Sequence, residues 1–127
     1  MKPGDTFLGE ILGRDKHLHV VLSYPFHERV VLTMIATHDE PHKNNTCILE
    51  PPINHPFITH RSYVVYELTE IRFISEIEDL RNNGKIKQYP PLPADVLERV
   101  LRGVADPRSR VNDACWQKLV DQGLIPR

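Results

Sequence analysis

Residues 17–24 read His17-Leu18-His19-Val20-Val21-Leu22-Ser23-Tyr24, and residues 30–36 read Val30-Val31-Leu32-Thr33-Met34-Ile35-Ala36. In the first stretch Leu18, Val20 and Leu22 alternate with His17, His19, Val21 and Ser23, the period of two that turns successive side chains to opposite faces of a strand. Leu18, Val20 and Leu22 are expected toward a core, with both histidines facing outward on the other side. The second stretch is a nearly continuous apolar run, which suits a strand covered on both faces.

Outward from this pair the same grammar repeats. Residues 5–12 form a short β-rich segment, parted from residues 17–24 by the turn-like Gly13-Arg14-Asp15. A polar loop (38–45), a brief strand (46–49) and a stretch containing Pro51, Pro52 and Pro56 follow, then two further strands at 62–67 and 70–74. Ser75-Glu76-Ile77-Glu78 has the form of a capping box and opens a short helix that Asn83-Gly84 can stop. Residues 85–89 read as extended. Pro93 opens a helix with Val96, Leu97, Val100, Leu101 and Val104 on one face, and a last helix covers about 108–122.

Short strands followed by late helices predict a mainly β, α+β chain: a small β-barrel closed by C-terminal helices. The chain of 127 residues is the size of one domain, with the barrel over about 4–74 and the helical part over about 75–127. The expected barrel core is Leu18, Val20, Leu22, Val31, Ile35, Val64 and Val65, with Leu97, Val100, Leu101 and Leu119 packed onto it.

Composition narrows the function classes. With 16 basic and 17 acidic residues the formal charge is −1, so any nucleic-acid site must be a local groove rather than a basic surface. No apolar run reaches the roughly 18 residues of a membrane span, and residues 1–5 lack a signal-peptide pattern. Two cysteines, Cys47 and Cys115, make no disulfide scaffold and no zinc-finger spacing. The expectation is a cytoplasmic protein with reduced thiols and no membrane partner. All seven histidines (17, 19, 27, 38, 42, 55 and 60) fall in the first 60 residues.

Three clusters carry candidate chemistry. His17 and His19 stand roughly 6.6–7 Å apart on one strand face. Two imidazoles at that spacing can flank a phosphate as base and acid, can form half of a metal site, or can simply face solvent. The segment His55-Pro56-Phe57-Ile58-Thr59-His60-Arg61-Ser62 ends where a strand begins, the place where a rigid sheet positions a loop. Thr37-His38 directly follows the long apolar strand, where Thr37 can meet a phosphate or an edge backbone group. Tyr63 and Tyr66 fall on opposite strand faces and cannot form a stacking platform together.

The order of these segments resembles the MazF/PemK-type toxin family, ribonucleases of bacterial toxin–antitoxin systems. Gly4-Asp5 is similar to the family's opening dipeptide, Lys16 to Ser23 to its V-L-S strand, and Val30 to Thr37 to its strand ending in I-T-S/T. Ser62 through Leu80 resembles its Ser-x-V strand and following helix. The family's Arg-Pro before the V-L-S strand is replaced here by Lys16 to His19, and the His- and Pro-rich stretch 50–62 is additional. The resemblance implies an SH3-like barrel, a homodimer, a groove for single-stranded RNA and inhibition by an antitoxin protein. It implies metal-independent cleavage of RNA, without a cofactor. The residues expected to carry it are His17, His19, Lys16 and Thr37 as the catalytic set. Arg14, His38, His55, His60, Arg61 and Ser62 are expected to bind substrate. A non-catalytic barrel binding nucleic acid or protein, or a His-rich metal-binding protein, are the competing expectations.

Overall fold

A computed structural model describes residues 1–13, 15–38 and 43–126. Strand β1 (Thr6–Gly9) pairs with β2 (His17–Val21), and β2 with the long β3 (Arg29–Thr37), all antiparallel. The β2–β3 link is tight: Phe26 and Arg29 bridge, with φ of 46° at His27 and 62° at Glu28. Two consecutive positive φ values belong to the mirror-image hairpin turns, whose twist matches that of the strands.

Strand β3 is long enough to serve two partners along its other edge. Its C-terminal end, Ile35 to Thr37, pairs with β5 (Ser62–Val64). Its N-terminal part, Arg29 to Leu32, pairs with β6 (Glu70–Phe73). The 3-10 turn Tyr66–Leu68 carries the chain from one to the other. β4 (Ile48–Leu49) adds outside β5, and β7 (Ile86–Tyr89) adds to the free edge of β1. The order is β4-β5-β3-β2-β1-β7, with β6 beside β3. Three helices complete the α+β fold: α1 (Ile74–Asn82), α2 (Ala94–Val104) and α3 (Asp113–Asp121).

The expected closed barrel is corrected to an open seven-stranded sheet, since no pairing joins β4 to β7 among the described residues. The prolines explain one edge. Pro51, Pro52 and Pro56 lack ladder donors, so β4 stops after two residues and the chain returns as a loop. The capping box is also not formed: α1 begins one residue before Ser75, behind Phe73, with no side-chain cap. By contrast α3 is capped as such a helix should be, with the Asn112 carboxamide accepting from the Cys115 N–H at 3.0 Å.

Alternation sorts the core into two layers. On one face Leu18, Val20, Leu22, Val31, Ile35 and Val64 pack under Val96, Val100, Leu101, Val104, Cys115 and Leu119. Tyr66 is buried among them, and its hydroxyl donates to the Val100 carbonyl at 2.6 Å. Helix α2 comes so close there that a Cβ on Gly103 would lie 2.1 Å from the Tyr66 hydroxyl. On the opposite face Phe7, Val21, Val30, Leu32 and Met34 pack with Leu12, Val65, Ile77 and Ile86. Val65 thus joins the second layer, and Leu97 is only partly buried against the first. Each fully buried side chain of this size contributes about 1.5–3 kcal/mol.

The second layer overturns one expectation. The face carrying His19 is not solvent but core, covered by α1 and residues 10–12, and His19 is fully buried. Period two reports which side chains share a face; it does not report whether that face is wet.

Candidate functional site

Antiparallel pairing brings the start of β2, the end of β3 and the start of β5 to one end of the sheet. Leu18 pairs with Ile35, and Thr37 pairs with Ser62. At that end lies a cleft of about 140 Å³ lined by Leu8, Lys16, His17, Leu18, Ile35, Ala36, Thr37, Phe57 and Ser62. Four of the residues expected from the sequence therefore meet: Lys16, His17, Thr37 and Ser62. The cleft is smaller than the roughly 300 Å³ of the smallest usual ligand pockets, so it grips a single group rather than enclosing a molecule. Lys16 also lines a second, larger hollow of about 560 Å³ with Gly9, Glu10, Leu80 and Lys85. The ammonium-bearing residue stands between the two.

Lys16 and Thr37 are exposed and His17 half-buried, whereas Ser62 is buried. The Ser62 hydroxyl donates to the His60 carbonyl at 2.8 Å, so it shapes the cleft floor and keeps only its lone pairs for another donor. The Thr37 carbonyl accepts from the Lys43 ammonium at 3.0 Å, which ties the polar loop to this strand end.

The other expected residues are elsewhere. His19 is fully buried: the Leu12 N–H donates to Nε2 at 2.9 Å, which leaves Nδ1 as the protonated nitrogen, 3.1 Å from the His17 carbonyl. Burial pushes its pKa down to about 4 against the smaller opposing pull of the His17 carbonyl, so it is a neutral structural imidazole and not a catalytic partner of His17. His55 is also internal. The Phe57 N–H donates to its Nδ1 at 3.1 Å, and its Nε2 lies 3.0 Å from the Thr6 hydroxyl, which donates to the Pro90 carbonyl at 2.9 Å. Burial lowers its pKa too, opposed by the Pro90 carbonyl. His38 leaves the cleft for the other side, where its ring meets Tyr63 edge-on at 5.5 Å and its Nε2 lies 2.6 Å from the Asn45 carboxamide oxygen. His60 is exposed with Nδ1 3.0 Å from the Thr59 hydroxyl, and Arg61 is engaged by Glu50 at 2.6 Å. Arg14 lies outside the described residues.

Sequence reasoning missed Phe57, Leu8 and Ala36 as lining residues. Nothing in the local pattern separates an exposed Phe57 from its buried neighbour Ile58; only the path of the loop does. A further hollow of about 360 Å³, lined by Asn44, Asn45, Thr46, Glu67, Arg108 and Arg110, holds none of the expected residues. There Arg108 is engaged by Asp106 and Asn44 donates to Glu67. Among the described residues no three His, Cys, Asp or Glu side chains gather as a metal-ligand set. No helix among them is long and apolar enough to cross a membrane. Set against protein families, curated proteins and solved structures, the chain matches none.

Proposed function

We propose that the chain is a MazF/PemK-like toxin: a metal-independent endoribonuclease for single-stranded RNA, built on an opened SH3-like sheet. One observation carries the reading. Two strand ends, the start of β2 and the end of β3, deliver a cation, an imidazole-bearing residue and a hydroxyl to a single cleft, through Lys16, His17 and Thr37. That is the set needed to hold a phosphodiester and move a proton beside it.

In this reading His17 removes the proton of the ribose 2′-hydroxyl. The 2′-oxygen attacks phosphorus, and the bond to the 5′-oxygen breaks as that oxygen takes a proton from solvent water, the His17 imidazolium later releasing its own proton to solvent. The products are a 2′,3′-cyclic phosphate and a 5′-hydroxyl. The Lys16 ammonium offsets the charge of the pentacoordinate phosphorus, and the exposed Thr37 hydroxyl donates to a non-bridging oxygen. The reading carries with it a cytoplasmic homodimer whose cleft is blocked by an antitoxin protein. A second reading, a non-catalytic module that binds RNA or protein, is favoured by one fact. Among the described residues His17 is the only histidine lining the cleft; His19 and His55 are buried elsewhere.

Incubation with a mixed-sequence single-stranded RNA, with and without EDTA, separates the two. Cleavage is expected to persist in EDTA and to leave the cyclic phosphate. His17→Ala should slow it by roughly 10²- to 10⁴-fold, the usual weight of acid–base catalysis. Binding without cleavage by folded protein would establish the second reading, and cleavage abolished by EDTA would overturn the metal-independent mechanism.

A further inference from the structure

Among the described residues four large hydrophobic side chains are exposed: Tyr24, Phe57, Leu68 and Phe73. Phe73 is covered by the Arg29 guanidinium, 4.9 Å from its ring centre. Phe57, 41% exposed, lines the Lys16 cleft. Its ring meets that of Tyr89 edge-to-face, with centres 4.3 Å apart and planes at 71°, and the Lys87 ammonium lies 5.4 Å from the Tyr89 ring centre.

Resting on the RNA-binding reading above, we propose that Phe57 is a base-stacking subsite: a nucleobase lies on its ring while the strand's phosphate is held at Lys16. Such platforms combine an aromatic face with neighbouring cations, and they tolerate any base because every base has a π-face.

The ring is preorganised for this. The backbone N–H of Phe57 is held by His55 Nδ1, and His55 is anchored through Thr6 to the Pro90 carbonyl. On its other side Ile58 is 1% exposed, sunk in the helix-covered core, and its N–H donates to the His55 carbonyl at 3.3 Å. Two buried anchors thus hold a hydrophobic ring at the surface, so little rotational freedom is lost when a base lands on it. The arrangement also gives the neutral, buried His55 a role: it is a positioning residue for the platform.

The test measures fluorescence anisotropy with two labelled probes whose 2′-oxygens are methylated so that they cannot be cleaved, hexauridylate and a ribose-phosphate strand of equal length lacking bases. The folded state of each variant is checked by thermal melting. Wild type should bind hexauridylate more tightly than the abasic strand. Phe57→Ala should weaken hexauridylate about 5- to 100-fold and leave the abasic strand unchanged. Phe57→Trp should keep the base-dependent part. Lys16→Ala should weaken both probes. If Phe57→Ala binds hexauridylate like wild type while Lys16→Ala weakens both strands, the stacking subsite is wrong and the RNA reading stands. If wild type binds neither strand, the RNA reading falls and the subsite with it.

Discussion

The face of the sheet under α2 and α3 buries about twice as many apolar side chains as the opposite face, and the two hold different polar groups. The face under α2 and α3 buries hydroxyls: Thr33 bonds Thr69, Thr6 donates to the Pro90 carbonyl, and Tyr66, whose phenol burial keeps protonated, donates to the Val100 carbonyl. The opposite face takes in an imidazole, His19, satisfied entirely by main chain. The first face also ends in the cleft, whereas the second holds the fully buried His19, whose pKa burial lowers to about 4. A hydrophobic pattern therefore marks where packing happens, and the polar residue inside it marks where packing depends on solution conditions.

The largest effects test whether the smaller second face is packed as tightly as the first. Leu119→Ala under α3 and Ile77→Ala in α1 each truncate a fully buried side chain and should each cost about 2–5 kcal/mol in urea unfolding. A loss under about 1 kcal/mol at Ile77 alone would make the second face a mere covering and break the equivalence.

Acid should act mainly on the second face. The folded-state pKa of His19 is lowered from 6.5 to about 4, so between these pH values the unfolded chain binds a proton that the folded chain does not. Its contribution is full above about pH 6.5 and is lost as pH falls toward 4, about 3 kcal/mol in all. His19→Gln should flatten this part of the stability profile between pH 7 and pH 4.5. An unchanged slope would show that another group carries the acid sensitivity.

A smaller effect is expected at His55, beside the first face. His55→Leu strands the Phe57 N–H and should cost about 1–2 kcal/mol at pH 7. It should also reduce hexauridylate affinity more than abasic-strand affinity, since it loosens the ring while leaving Lys16 in place. Equal loss for both probes would reduce His55 to a general fold contact.

Much of this could be read in advance, and the misses have a common cause. The strands around Leu18, Val31 and Val64 and the helix face of Val96, Val100 and Val104 are set by periodicity, which is local. Lys16, His17, Thr37 and Ser62 were legible because they sit at strand ends, and strand ends in an antiparallel sheet gather at one place. His19 and His55 were misjudged because an imidazole is equally at home in water and in a core that satisfies both nitrogens. The deciding partners, Leu12 and Thr6, are supplied by segments 7 and 49 residues away.

The sequence by itself determined the order of strands and helices, the split into two alternating faces and the near balance of formal charge. Only the tertiary structure decided that both faces are dry, that the sheet stays open and that Phe57 stands beside Lys16. Alternation and propensity are properties of neighbouring residues. Solvent exclusion and the meeting of distant loops arise from contacts that no local stretch contains.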